Sequence, residues 1–272
     1  MNPTKPNAFL NADPVATGDP ASQVIRNGWC LLPNLLSAFE CNSMIQECVR
    51  LIDENVSGSL STRGKTFGAR NLLDHWDGWR VVLEKENLRS VLSSIPGREC
   101  GLVRMLWFDK PPGAGWALPW HRDQTIAVQK HPVDASPFSK PTTKSGVPHL
   151  IAPDGLLQNM LTVRIHLDPM LKENGPLQVI TGSHLNSEST ALENETDQNC
   201  IETILTSAGT VFLMRPLLLH GSLPSEPDTT MHRRILHMEF APSVELPGEV
   251  QWRDFVPVRT GGREIRSGAI RA

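Results

Sequence analysis

The chain has no apolar run long enough to cross a bilayer and no excess of positive charge. A transmembrane helix needs roughly 18–20 consecutive apolar residues, and none is present. Lys and Arg number 26 against 29 Asp and Glu, a formal net charge of −3. That balance supplies no basic surface for nucleic acid or anionic lipid. Cysteine is sparse: Cys30, Cys41, Cys48, Cys100 and Cys200 make five. The number is odd, and no pair has the spacing of a zinc site or redox motif. Free buried thiols in a reducing compartment are the expectation. A Gly-rich phosphate loop, a nucleophile elbow and a zinc cysteine cluster are all missing, which removes three common enzyme classes. The opening stretch MNPTKPNAFLNADPVATGDP holds no apolar segment of a secretory leader. These absences lead to the expectation of a cytoplasmic protein whose partner is a small molecule, with neither nucleic acid nor membrane involved. They say nothing of oligomeric state.

What remains is an ordinary globular composition: 272 residues, 39% hydrophobic and 20% charged. A chain of this length can bury a core without metal or disulfide. Residues 1–20 are rich in Pro, Asn, Asp and Gly and predict a flexible arm. Residues 21–272 show no repeat and no boundary, so one domain is expected there. Trp29, Leu31 and Leu32 predict a short strand, with Pro33-Asn34 as a turn. Ser37 and Glu40 have capping-box spacing. Met44, Ile45, Cys48, Leu51 and Ile52 then recur as one helix face. A second helix is predicted over Asn87–Ser94, stopped by Pro96-Gly97.

From residue 101 the periodicity changes. LVRMLWF, TIAV, MLTVRIHL, PLQVI, TVFLM and RILHMEF are strand-like runs separated by Pro/Gly turns. Helices followed by a strand series predict an α+β domain, mainly β, with helices packed on one face of a sheet. Residues 129–150 and 185–200 are polar and predict long loops, which in compact domains often serve as lids.

In PWHRDQTIAV, His121 and Asp123 stand two apart. On a strand that spacing puts both on one side, roughly 6.5–7 Å apart along the chain. Two histidines and a carboxylate on one octahedral face leave three positions open, the ligand set of non-haem Fe(II) oxygenases. The pair alone is more often an ordinary solvated polar patch, and the third ligand has to come from elsewhere. LLLHGS places His220 after an apolar strand, and Arg233 follows thirteen residues on. An oxo-acid cosubstrate chelating the metal needs a planar, bidentate cation for its far carboxylate, and arginine supplies it. Arg233 and Arg234 compete for that role. Arg234, Leu236, Met238 and Phe240 share one strand face; Arg233, Ile235, His237 and Glu239 share the other. The apolar face packs on helices, so Arg233 is predicted to face the cavity. On the strand Leu161–Asp168, Thr162, Arg164, His166 and Asp168 form the polar face. For Thr162 and His166 a cavity face and a solvent face stand equally open.

These residues, in this order, resemble the phytanoyl-CoA dioxygenase family of Fe(II)/2-oxoglutarate oxygenases. The resemblance covers roughly residues 23–241 and rests on NGWCLLPNLLS, FDKPPGAGWALPWHRDQTIAV, MLTVRIHLDPMLKENGPLQVITGSH and LLLHGS followed by HRRILHMEF. It implies a double-stranded β-helix, or jelly roll, with helices on the larger sheet. It implies His121, Asp123 and His220 as ligands of Fe(II), and Arg233, Ser222 and Lys110 as contacts of 2-oxoglutarate, with O2 as the second cosubstrate. The sequence has Asp109 where the family segment around Lys110 has asparagine, and Arg164 where relatives have tryptophan. The latter places a charge near the cavity and argues against copying an acyl-CoA substrate. Related halogenases lack the carboxylate that Asp123 provides, so its presence argues for oxygen transfer. Arg164, Gln124 and Trp116 are candidate substrate or supporting contacts, as are Trp120 and Arg70-Asn71. His184 and His237 are expected to be structural; His75, His131, His149 and His232 are expected at the surface. The implied activity is a dioxygenase hydroxylating a small organic molecule with release of succinate and CO2. The alternative is a non-catalytic jelly-roll protein that binds metal or ligand.

Overall fold

The computed structural model describes residues 18–54, 58–62, 65–113, 116–186 and 201–258. Most of the arm expected over residues 1–20 therefore lies outside the described residues. Its last two positions already belong to a helix: α1 (Pro20–Asn27) is capped by Asp19, whose carboxylate accepts from the Ser22 amide, and has Pro in its first turn. Helix α2 (Ala38–Asp53) buries Cys41, Met44, Cys48 and Leu51. Its start is the predicted capping box. Ser37 Oγ accepts from the Glu40 amide at 3.2 Å, and Glu40 accepts from the Ser37 amide at 2.7 Å. Helix α3 (Glu86–Ser94) buries Leu88, Val91 and Leu92.

Among the described residues the strands, in chain order, are β1 (Trp29–Leu32), β2 (Ser59–Thr62), β3 (Lys65–Ala69), β4 (Gly101–Lys110), β5 (Leu118–His121), β6 (Thr125–Ala127), β7 (Ser139–Lys144), β8 (Val147–Ile151), β9 (Leu161–His166), β10 (Leu177–Ile180), β11 (Ile201–Ile204), β12 (Val211–Met214), β13 (His220–Ser222), β14 (Arg233–Ala241) and β15 (Val256–Pro257). The large sheet runs β1-β12-β9-β14-β4-β3-β2, with β15 on β4; a second runs β11-β10-β13-β5, and a third β6-β8-β7. This is the antiparallel, mainly β jelly-roll architecture, not a closed barrel.

Alternation along the large sheet sorts its two faces. Leu161, Val163, Ile165, Leu167, Val211, Leu213, Leu236, Met238 and Phe240 pack with the buried faces of α1, α2 and α3 into one core. The opposite residues of β12, Phe212 and Met214, meet Leu177 and Val179 of the second sheet and Leu218 just before β13. The third sheet packs Ile126, Val128 and Leu150 against Val103, Leu157 and Trp252. On β4 the alternation slips once, where the register to β14 shifts between Glu239 and Phe240. That bulge lets both Leu102 and Met105 join the helix-side core. Gly209 shows how tightly the α2 end is held: its φ is +81°, and a Cβ there would sit 2.1 Å from the Leu36 carbonyl oxygen.

Two sequence expectations are corrected by these strands. Residues 129–150 are not one long loop, because β7 and β8 form a hairpin from Ser139 to Ile151. The strand β7, SKPTTK, is almost wholly exposed. An edge strand with a proline and a polar outer face reads as loop in sequence. His149, expected at the surface, is buried on β8 and its Nδ1 lies 2.9 Å from the Val147 carbonyl. Of the segment 185–200, residues 187–200 lie outside the described residues. Cys30, Cys41, Cys48 and Cys100 are free and buried; Cys200 is outside the described set. Among the described residues no helix is long and apolar enough to cross a membrane.

Candidate metal centre and cavity

His121 ends β5, and His220 begins β13 as its direct antiparallel partner. The two imidazole centroids are 4.2 Å apart. Asp123 lies just past β5, anchored by its amide donating to the Pro216 carbonyl at 2.9 Å. Its carboxylate oxygens are 3.8 Å from His121 Nε2 and 3.7 Å from His220 Nε2. One ligand atom from each of the three residues falls within 4.8 Å of the others. The other ring nitrogens are already committed. His121 Nδ1 lies 2.8 Å from the Pro119 carbonyl and His220 Nδ1 2.9 Å from the Leu218 carbonyl. Each Nδ1–H therefore donates to backbone, which leaves both Nε2 lone pairs free to ligate.

Electrostatics prepare the same state. Burial pushes His220 down to about 4, against the pull of Asp123, so its imidazole is neutral near pH 7. Burial would raise Asp123, but His220, His237, His121 and Arg164 outweigh it and hold the carboxyl down at about 2. Asp123 Oδ2 is buried without a hydrogen-bond partner. Two imidazoles with free Nε2 atoms and a carboxylate with an orphaned oxygen fit a divalent transition metal.

The triad opens on a cavity of about 300 Å³ between the sheets, at the small end of ligand sites. Its floor is the β4–β14 ladder. Lys110 stands opposite Arg233, Phe108 opposite Ile235, Leu106 opposite His237, and Arg104 opposite Glu239. All eight side chains line the cavity. The predicted face of β14 is therefore the one that faces inward.

At one end, Arg233 is buried with Nε and Nη1 unpartnered. Burial, then Arg164, lower it to about 9. Lys110 is 1% exposed. Its Nζ donates to the Leu223 carbonyl at 2.7 Å, reaches Ser222 Oγ at 3.4 Å, and lies 4.8 Å from the Trp116 ring centroid. Gly175 makes that fit possible, since a Cβ there would come within 2.6 Å of Lys110 Nζ. Burial, then Arg233 and Arg164, push the Lys110 ammonium down to about 7. Arg164 is buried in the cavity wall with Nε unpartnered. Its burial lowers it to about 10, although Asp123 pulls the other way. These three cations, Ser222 and Trp116 all line the cavity.

Gln124 is different. Asp123 and Thr125 line the cavity, and Gln124 between them does not; extended backbone sends alternate side chains to opposite sides. Its carbonyl accepts from the Ala152 amide. Trp120 also lies off the cavity. Arg234 faces away and forms two 2.7 Å contacts with Asp168. Asp168 thus leaves the polar face predicted for it, because β9 ends at His166 and the alternation ends with it. Thr162 and His166 are fully buried, so neither is a solvent face. His184 is structural, its Nε2 lying 3.0 Å from the Ile25 carbonyl. His232 is not a free surface residue: its Nδ1 is 2.9 Å from Asp109 Oδ1.

Sequence reasoning passed over Arg104 and Lys144, put Glu239 on the inward face without a role, and gave His237 only a core role. All four line the cavity. Arg104 and Glu239 form a buried ion pair at 3.1 Å, and His237 Nε2 lies 3.2 Å from Glu239 and 4.0 Å from Asp123. Arg104 had a signal, since it shares strand parity with Lys110. Lys144 had none.

The family model described as phytanoyl-CoA dioxygenase (PhyH) matches residues 24–234. No curated protein matches the chain. Among solved structures, the non-haem α-ketoglutarate-dependent epimerase SnoN from nogalamycin biosynthesis is 17% identical, with a TM-score of 0.59 over 92% of this chain and 90% of that one. A non-haem monooxygenase, ThoJ in complex with Ni, is 18% identical, with a TM-score of 0.61 over 89% and 84%. Iron-bound HygX from Streptomyces hygroscopicus is 16% identical, with a TM-score of 0.55 over 83% and 87%. At these identities the likeness establishes the fold.

Proposed function

Since the chain belongs to the phytanoyl-CoA dioxygenase family, we propose that it is an Fe(II)- and 2-oxoglutarate-dependent dioxygenase that hydroxylates a small organic substrate. The observation that carries this reading is one cavity that brings together a metal-ligand set and a buried cation pair. The His121, Asp123 and His220 donor atoms converge on one side, and Arg233, with Nε and Nη1 unpartnered, stands beside Lys110 at one end of the floor. When bound, iron and 2-oxoglutarate supply the oxidising chemistry, in which O2 is consumed, 2-oxoglutarate becomes succinate and CO2, and one oxygen atom goes to the substrate. His121, Asp123 and His220 would hold the metal, and their backbone-bonded Nδ1 atoms fix the ring orientations. Arg233 and Ser222 would receive the far carboxylate of 2-oxoglutarate, with Lys110 as third donor. Leu106, Phe108 and Ile235 keep the middle of the cavity dry, which strengthens each of these contacts. Asp123 supplies the carboxylate that related halogenases lack, which supports oxygen transfer. The proteins of similar fold include an epimerase, and hydroxylation is the outcome proposed for this chain. The catalytic unit would be a single domain over residues 21–272, with free thiols suited to a reducing cytoplasm.

The test is anaerobic addition of Fe(II) and 2-oxoglutarate to metal-free protein. A weak visible charge-transfer band is expected in the wild type, lost in His121→Ala and Arg233→Ala. A folded wild type without the band would overturn the oxygenase reading and favour a binding protein.

A further inference from the structure

Beyond the Arg233 end, the cavity carries a second group of cations that the proposed chemistry does not use. Arg104 and Glu239 form the rung at the opposite end of the β4–β14 ladder. That rung is six residues from Lys110, roughly 20 Å along the strand. Leu106 and Phe108 separate the two ends with apolar side chains. A five-carbon diacid bound at the triad and at Arg233 would run from the His237 rung toward the Lys110 rung, away from Arg104.

Arg104 is neutralised there by Glu239. Arg70 and Lys144 are not. Arg70 follows β3, beside β4, and its Nη1 is buried without a partner. Lys144 ends β7 and approaches from the third sheet, its Nζ donating to Thr125 Oγ1 at 2.9 Å. Both line the cavity. Among the described residues no carboxylate pairs with either one. Burial, then Arg104, press Arg70 downward against the pull of Glu239; burial, then Arg104 and Arg70, do the same to Lys144 against Glu239 and Asp123. Cations drawn out of water and set against one another are costly unless an anion completes the site.

We propose that Arg70 and Lys144 bind an anionic group of the primary substrate, which is therefore a small carboxylate, phosphate or sulfate ester. This rests on the oxygenase reading above and names its substrate class. Guanidinium and ammonium reach the anion from different sheets and fix one end of the molecule. His237, on the next rung, is 4.0 Å from Asp123, so the carbon beyond the anion would lie toward the triad. Thr125, two residues past Asp123, ties Lys144 to the same side of the site.

The test uses protein loaded anaerobically with Fe(II) and 2-oxoglutarate, the visible band reporting that both are in place. Inorganic phosphate, sulfate and hexanoate are then titrated calorimetrically, which separates the three anion chemistries. At least one should bind the loaded wild type with a stoichiometry of one. Arg70→Gln and Lys144→Gln should each weaken it by about tenfold or more while leaving the band intact, as expected for losing one charged hydrogen-bond donor. Binding of none of the three, or binding unchanged in both variants, would overturn the anion site while the oxygenase reading stands. Absence of the band in the wild type would overturn both.

Discussion

Lys110 and Arg233 stand directly opposite each other on β4 and β14, both buried, with no carboxylate paired to either among the described residues. Two like charges in that position make a site that is better with an anion in it. Burial, then Arg233 and Arg164, lower Lys110 to about 7, and an arriving carboxylate raises it again. The free protein gives up this proton as pH rises through about 7, while the complex keeps it to higher pH. Binding of 2-oxoglutarate therefore takes up a proton above that point. Its affinity should be level below pH 7 and fall by up to about tenfold per pH unit above it. Calorimetry across that range checks the slope, and Lys110→Met should flatten it. A slope that survives in Lys110→Met would assign the proton elsewhere.

The adjacent arginines should separate cleanly. Arg233→Ala removes a buried donor from the cavity and should weaken 2-oxoglutarate binding by about 2–4 kcal/mol. Arg234→Ala breaks the contact with Asp168 on the other face. It should lower the melting temperature by a few degrees and leave 2-oxoglutarate affinity within about twofold. Equal effects of the two on affinity would contradict the face assignment.

Glu239→Ala should be among the most destabilising changes in the cavity. It leaves Arg104 buried and unpaired and removes the acceptor of His237. Breaking one side of a buried pair costs about 3–5 kcal/mol. Replacing Arg104 and Glu239 together with leucine should recover part of that loss, because Arg104 is then no longer left buried without its partner. Urea unfolding of the two variants measures both numbers.

Much of this molecule was legible without coordinates. The capping box at Ser37, the helix face through Cys48 and Leu51, and the polar parity of Arg233 are local patterns, and local patterns survive in sequence. The strand β7 was illegible because its side chains face water on an edge, where polarity resembles that of a loop. Asp168 was misplaced because alternation was carried two residues past the end of β9. Gln124 was proposed from adjacency to Asp123, while extended backbone turns neighbours apart.

The sequence by itself determined which residues can ligate, which strand face is polar, and which family the chain resembles, since each depends on residue type and short spacing. Only the tertiary structure decided that His220 lies against His121, and that Arg70, Arg104 and Lys144 share a cavity. Those contacts join strands far apart in the chain, and their closeness follows from sheet order and register. No local pattern encodes either.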